Sequence, residues 1–576
     1  MKALTELFSH RLFKRGGAAP EENVLSQMSL STATTLDAAF ALRLERLQYR
    51  PKISIVIPAY KTPKSLLNAV LGSLVWQVYQ PHEIIIVDDS GPDSALSEKI
   101  DDDLTASGYI QIIYSKRNVG ISEATKVGVA AAKGDFIAFI DHDDELTRDA
   151  LLCVAEKISA QQEMDVWYSD QVTFDEAGKV LHHFLKPSWS PIYFLGCMYV
   201  GHLLVVRRSI CLEVPLLKAY DGVQDYEFML RVSEKTDRIG HIDRVLYKWR
   251  AVQGSLAFGG DEKSGISQLQ AKAVNEHIQR KGFSWRAAPH PFLPHRAVLK
   301  PTKHTAEPRI SIIIPSKNQG EVVARCLESI FVLSNYNNYE VIVVDNKTVD
   351  PVALKAFAQW PIKHIKYSQK FNYSEANNLG AEAATGDFLL FLNNDTEVLS
   401  ADWMRELVMF FEDQEIGAVG PTLLYPNRTI QHAGVVLGMR GTADHIMRHF
   451  DEHVDGYGGS LAVSREVSAV TAACMMISNS LFKELGRFSL DYAKHYQDVD
   501  LCCRMRAAGK RIISVSSTKL LHHESLSRKD DGYDLGDRAI FIDRWRDQIE
   551  GGDPYYNRGF HLDAGDYVPR HDVSMG

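Results

Sequence analysis

Two segments of this chain repeat one another, and the repeat decides how it can fold. PKISIVIPAYKTPKSLLNAVLGSL begins at Pro51 and PRISIIIPSKNQGEVVARCLESI begins at Pro308. Pro308 lies 257 positions after Pro51, and Asp345 lies 257 positions after Asp88, so the copies start in phase. The offset changes little farther on, where GDFIAFIDHDD from Gly134 matches GDFLLFLNNDT from Gly386. Gln224-Asp225-Tyr226-Glu227 and Gln497-Asp498-Val499-Asp500 then match, each followed by an Arg (Arg231, Arg504). A repeat of this size is a domain rather than a solenoid unit. Acidic residues at matching places imply two related ligand sites.

The 576 residues exceed one core and suit two domains with connectors. We read 1–50 as an N-terminal helical extension, with a Gly/Ala/Pro break at Gly16–Pro20 and a helix near Leu36–Leu47. Domain one covers 51–284 and domain two 308–547. Between them, 285–307 holds Pro289, Pro291, Pro294 and Pro301 and reads as an extended linker. The aromatic segment 548–576 reads as an irregular tail.

ISIVIP and ISIIIP are continuous β-branched runs, the pattern of parallel strands buried on both faces. EIIIVDD and EVIVVDN follow, each ending in an acidic or amide residue, with helical stretches such as Pro63–Val75 and Val322–Val332 between strands. This is an α/β class with right-handed crossovers and a mostly parallel sheet. In such sheets ligands bind beyond the carboxyl ends of the strands, which is where Asp88, Asp89, Asp345 and Asn346 fall. A dinucleotide-binding fold would need G-x-G-x-x-G after the first strand. The turns there are PAYKTP and PSKNQG, so hydride chemistry is disfavoured.

Composition excludes several other classes. A net charge of −9 argues against a general nucleic-acid binder, and we expect no nucleic-acid partner. Seven scattered cysteines without a C-x-x-C pair read as free buried thiols in a reducing compartment. No apolar run reaches the length of a bilayer span. Lys2, Arg11, Lys14 and Arg15 alternate with Leu4, Leu7, Phe8, Leu12 and Phe13. That pattern suits either a helix packed on the body or an amphipathic segment touching anionic lipid. We expect a cytoplasmic protein, with peripheral contact at the inner face of the membrane as the competing detail.

FIDHDD and FLNNDT carry the chemistry. Each buried strand delivers oxygen ligands one residue apart to its end, Asp141 and Asp143 in one copy, Asn393 and Asp395 in the other. Such a pair can place a hard divalent cation, Mg²⁺ or Mn²⁺, against a diphosphate and neutralise it as a leaving group. Asp225 and Asp498 each open a helical pattern. Either can serve as an N-cap, as a general base toward an acceptor hydroxyl, or as both. His522 and His523 follow the strand-like RIISVSSTKLL, and a neutral imidazole there would complete a metal shell with Asp395.

These residues resemble the family 2 glycosyltransferases, over roughly 51–250 and 308–547. FLKPSWSP, GHLLVVRRS and LYKWR in the first copy, and FNYSEANNLGAEAATGDFLLFLNNDTEV, TIQHAGVVLG, VSAVTAAC and LLHHESLSR in the second, look like bacterial rhamnosyltransferase-like and O-antigen biosynthesis members. The resemblance implies two tandem GT-A domains and inverting sugar transfer from a nucleoside diphosphate sugar. By the same resemblance Asp88 or Asp89, and Asp345, hold the nucleotide, with Pro58, Tyr60 and Pro315 at the same strand ends. Asp141, Asp143, Asn393 and Asp395 meet the metal and diphosphate. Asp225 and Asp498 act as bases, and His522 or His523 joins the metal. LYKWR reads as a family LYHWR in which Lys248 replaces the His, so Lys248 is expected on the diphosphate of domain one. The implied partners are a lipid-linked or growing glycan and other polysaccharide-assembly proteins.

Overall fold

The computed structural model describes residues 30–92, 94, 96, 108–251, 265–492, 494–523 and 535–570. The basic, apolar segment at 1–15 lies outside them. Helix Leu30–Glu45 packs on domain one. Its Arg43 reaches Glu156 at 2.8 Å and Asp149 at 3.0 Å, on and beside helix Ala150–Ala160.

The two domains have one topology. In domain one the order is Ile110–Tyr114, Glu83–Asp88, Ile53–Ala59, Phe136–Phe139, Leu204–Arg207, Val166–Phe174, Ile239–Arg250 and Glu145–Leu146. In domain two it is Ile362–Lys366, Tyr339–Asp345, Ile310–Ser316, Phe388–Leu392, Cys474–Ser478, Ile416–Leu424, Arg511–His522 and Thr396–Val398. The first four strands of each are parallel. The fifth runs antiparallel to both neighbours. Each sheet is therefore mixed, where the apolar runs alone suggested a mostly parallel one.

The shared G-D-F has a packing cause. A Cβ on Gly134 would stand 2.7 Å from the Lys52 carbonyl, and one on Gly386 2.8 Å from the Arg309 carbonyl. The following Asp135 and Asp387 each accept a backbone N–H, from Lys52 and Arg309, both at 3.0 Å. Together they lock the acidic strand against the first strand of its sheet.

Segment 285–307 is not an extended linker. Arg286–Pro289 and Ala297–Lys300 form an antiparallel hairpin, with Ala287, Ala297 and Leu299 buried. Pro291 and Pro294 fall in its turn and Pro301 beyond its end, where no ladder N–H is needed. Trp285 packs on Phe410, ring centres 5.7 Å apart, so the hairpin joins the two cores. The tail also has a task. Tyr556, Phe560 and Tyr567 are buried beside Tyr457. Asn557 donates to Asp170 and to the Lys186 carbonyl, both at 2.9 Å.

The domains meet closely where helix Pro191–Gly196 of domain one rests on strand Arg465–Val467 of domain two. A Cβ on Gly196 would stand 2.6 Å from Val463 Cβ. The buried Glu466 accepts N–H groups of Ile192 (3.0 Å) and Tyr193 (3.2 Å) and pairs with Arg511 at 2.9 Å. All seven cysteines are buried free thiols. Among the described residues no helix is long and apolar enough to cross a membrane.

Candidate active sites

In domain two, strand pairing sets Thr396 opposite His522. The His522 ring thereby meets the acidic strand end, with Nε2 3.1 Å from Asp395 Oδ1 and 3.2 Å from Asn393 Nδ2. Its Nδ1 lies 2.5 Å from Gln431 Oε1. An amide oxygen there accepts a hydrogen bond from Nδ1 and so holds the ring with Nε2 facing the acidic residues. Burial pushes the Asp395 carboxyl up, but the His522 ring, a backbone hydrogen bond and the His523 ring together outweigh it, and the net pKa is lowered. Asp395 is therefore an anion at neutral pH. Gln431 belongs to the quoted TIQHAGVVLG, yet no sequence signal showed that its partner would be His522.

His523 does not join this site. Successive strand residues point to opposite faces, and His523 Nε2 instead meets Glu397 Oε1 at 2.7 Å. On the other side of the cleft, Asp498 opens helix Gln497–Ala507. It accepts N–H groups from Val499 and Ala472, each at 2.9 Å. The Tyr373 hydroxyl joins this edge to the metal edge, 3.1 Å from Asn393 Oδ1 and 3.0 Å from the Ala472 carbonyl.

At the nucleotide edge, Asp345 ends its strand, takes the Thr348 N–H at 2.8 Å and meets His364 Nε2 at 3.0 Å. Burial raises its pKa, and Thr348 and His364 together bring it below the ordinary value. The equivalent Asp88 accepts from Ser90 at 2.9 Å and from the Ser94 hydroxyl. Asp89 is engaged otherwise. Its oxygens clamp the N–H groups of Val119 and Gly120, both at 2.8 Å, just before helix Ile121–Ala131. Asn346 likewise ties the Tyr367 and Gln369 carbonyls at 3.0 Å. The second position of each pair thus holds a loop, and Asp88 and Asp345, hydrogen-bonded in their turn, end the strands at the edge where the sequence places the nucleotide. Pro58 and Pro315 sit within the first strands, facing Val87 and Val344, and Tyr60 is exposed at the strand end.

Domain one repeats the frame with a different set of side chains. Leu146 pairs with Tyr247 as Val398 pairs with Leu520. By that register Trp249, not Lys248, occupies the place of His522. Lys248 points to the opposite face, where it binds Glu145 at 2.8 Å and lies 4.7 Å over the Phe174 ring. Its ammonium is thus held in an ion pair rather than free for the diphosphate role the sequence suggested. An imidazole reaches the site from another strand instead. His202, just before Leu204–Arg207, sets Nε2 3.4 Å from Asp141 Oδ2 and stacks on Tyr247. Its place in domain two is taken by Ala473.

Asp141, His202, Trp249 and Asp225 line one cavity of about 490 Å³. Burial pushes the Asp225 carboxyl up; His202 opposes this, and the net pKa is raised. Burial likewise raises Asp143, with His142 opposing. A raised carboxyl pKa beside a cavity suits a base that must take a proton.

Both domains thus present a carboxylate at the end of the second strand, an acidic or amide pair at the end of the fourth, and an Asp at a facing helix start. The glycosyl transferase family 2 model matches residues 54–212 and 311–486, which covers both sets of strand-end residues and His202 but stops short of Asp225, Asp498 and His522. The chain is 34% identical over 90% of its length to "O-antigen biosynthesis protein RfbC" of Myxococcus xanthus. It is 33% identical over 91% to "Uncharacterized protein y4gI" of Sinorhizobium fredii. It spans 41% and 59% of those proteins' own lengths. Among solved structures it is similar to S. aureus TarS 1–349 in complex with UDP, at 19% identity, covering 40% of this chain and 74% of that one, with a TM-score of 0.30. The chain belongs to glycosyl transferase family 2 and carries two tandem GT-A domains.

Proposed function

We propose that the chain is a two-site inverting glycosyltransferase, moving sugars from nucleoside diphosphate sugars onto a lipid-linked or growing cell-surface glycan such as O-antigen or capsule. The observation that carries this reading is the convergence of Asn393, Asp395 and His522 at one strand end, joined through Tyr373 to the loop that Asp498 holds. In the reaction the acceptor hydroxyl attacks the anomeric carbon, its proton passes to Asp498, and the bond to the diphosphate breaks. Asp345 holds the nucleotide end of the donor.

A divalent cation fits domain two. Among the described residues no three His, Cys, Asp or Glu side chains assemble a complete metal cage. Asp395 and His522 would supply two ligands with Asn393 alongside, and the diphosphate and water the rest, as Mg²⁺ commonly accepts. The cation would neutralise the leaving diphosphate. Domain one has Asp141, Asp143 and His202 for the same place. TDP-rhamnose is the first donor to try, and the M. xanthus relative's printed name supports a surface-polysaccharide acceptor. Such a protein would work in the cytoplasm, against the inner membrane face, beside other polysaccharide-assembly proteins.

Trp249 at the His522 position favours a second reading, in which domain one only binds glycan. The test is a donor screen with UDP- and TDP-sugars and Mg²⁺ or Mn²⁺, scoring released nucleoside diphosphate and glycan length. Asp498→Asn should cut transfer by about 10²–10⁴-fold with donor affinity kept, the share a positioned base supplies. Asp225→Asn should stall the glycan at a different intermediate. Wild-type product at the wild-type rate from Asp225→Asn would make domain one a binding module.

A further inference from the structure

The cavity at Asp141 and Asp225 has an outer wall that domain one does not make. Domain two contributes Tyr457, Gly458 and Ser460, and the tail contributes Phe560 and Tyr567. We propose that this interdomain cavity is a glycan-binding site, in which domain two and the tail complete the acceptor subsite of domain one. The proposal rests on the transferase reading and adds to it that domain one cannot hold its acceptor alone.

The lining selects the ligand class. Aromatic rings come from all three segments: Trp249, Tyr193 and Tyr199 from domain one, Tyr457 from domain two, Phe560 and Tyr567 from the tail. Large planar rings with polar rims suit pyranoses, whose C–H faces are apolar and whose edges are hydroxyls. The cations of the lining are already engaged. Arg296 donates to the carbonyls of Gly458 (2.7 Å) and His295 (2.9 Å). Arg465 donates to those of Ser460 (2.9 Å) and Ala433 (2.8 Å). Lys186 Nζ meets the Ser169, Val200 and His202 carbonyls, each at 2.6 Å. The rest of the lining is aromatic with polar side chains such as Gln171, Gln224 and Asp225, a surface that fits a polyhydroxylated chain. At about 490 Å³ the space falls in the range of small-ligand sites.

The wall is built in rather than resting by chance. The Tyr457 hydroxyl donates to the His183 carbonyl at 2.5 Å and accepts the Leu185 N–H at 2.8 Å. Asn557 and Glu466 tie the tail and domain two to the same part of domain one. His202 Nδ1 and Ser460 Oγ, both from lining residues, are buried without a hydrogen-bond partner. Asp225 borders the same space, so a sugar hydroxyl held there lies beside the candidate base.

The test uses the full chain. Saturation-transfer NMR is recorded with a mixture of neutral oligosaccharides: cellotetraose, maltotetraose, chitotetraose and a rhamnose trisaccharide. UDP and TDP affinities are measured separately by calorimetry. Saturation should reach sugar ring protons in the wild type. It should weaken at least about tenfold in Tyr457→Ala, the loss an aromatic anchor commonly brings. Met198→Trp, which fills the cavity rather than opening its wall, should lose the signal with nucleotide affinity unchanged. No saturation of any oligosaccharide by wild type, or full signal in Met198→Trp, overturns the proposal. Oligosaccharide binding without UDP or TDP binding would instead sink the transferase reading and leave the glycan site standing.

Discussion

Replacing Glu466 by Ala should separate the domains energetically. The carboxylate is fully buried, receives two N–H groups from the first turn of helix Pro191–Gly196, and pairs with Arg511. Arg511 retains Asp413, so its charge is not abandoned. The Ile192 and Tyr193 N–H groups, however, are left buried without a partner, at about 1–3 kcal/mol each. Removing one member of a buried ion pair costs ~3–5 kcal/mol by itself. These overlap rather than add, and we expect a loss of about 3–5 kcal/mol. Glu466→Gln keeps the shape and one acceptor and should lose less than half of that. The assay is urea unfolding followed by tryptophan fluorescence, with limited proteolysis to see which domain opens first. The reasoning fails if Glu466→Ala leaves the midpoint and cleavage pattern unchanged, because the interface would then not depend on this carboxylate.

His522→Ala should abolish cation-dependent transfer by domain two, while His523→Ala, which changes only a Glu397 contact, should leave it within about twofold; equal losses from both would refute the strand-face assignment. Gly196→Ala drives a methyl into Val463 and should cost about 1–3 kcal/mol, as overpacking does, with Val463→Ala restoring most of the loss in the double mutant. In an Asp498→Asn background the acid limb of transfer should lie above the ordinary carboxylate pKa, because burial holds Asp225 up and a base acts only when ionised. A limb at or below that ordinary value would remove Asp225 from the role.

The duplication, the buried strands and the acidic strand ends were legible because they are local. A strand buried on both faces must be a continuous apolar run, and a turn that meets a ligand must break it. The free buried thiols were legible in the same way, from their apolar neighbours. The pairing register decided the rest. LYKWR and LLHHE carry no mark of which residue faces the cleft, and a shift of one position exchanges the faces. Hence His522 and Trp249 face the site, whereas His523 and Lys248 turn to Glu397 and Glu145. Asp88 and Asp89 read alike in sequence, and only the loop at Val119–Gly120 showed that Asp89 was engaged. The prolines of 285–307 suggested an extended linker until the alternate burial of Ala287, Ala297 and Leu299 placed them in and around a hairpin turn. Nothing in the amino-acid order announces that Tyr457 and Phe560 complete a wall for Asp225. Local pattern specifies each strand and its end, but contacts between residues hundreds of positions apart exist only once the domains and tail have packed.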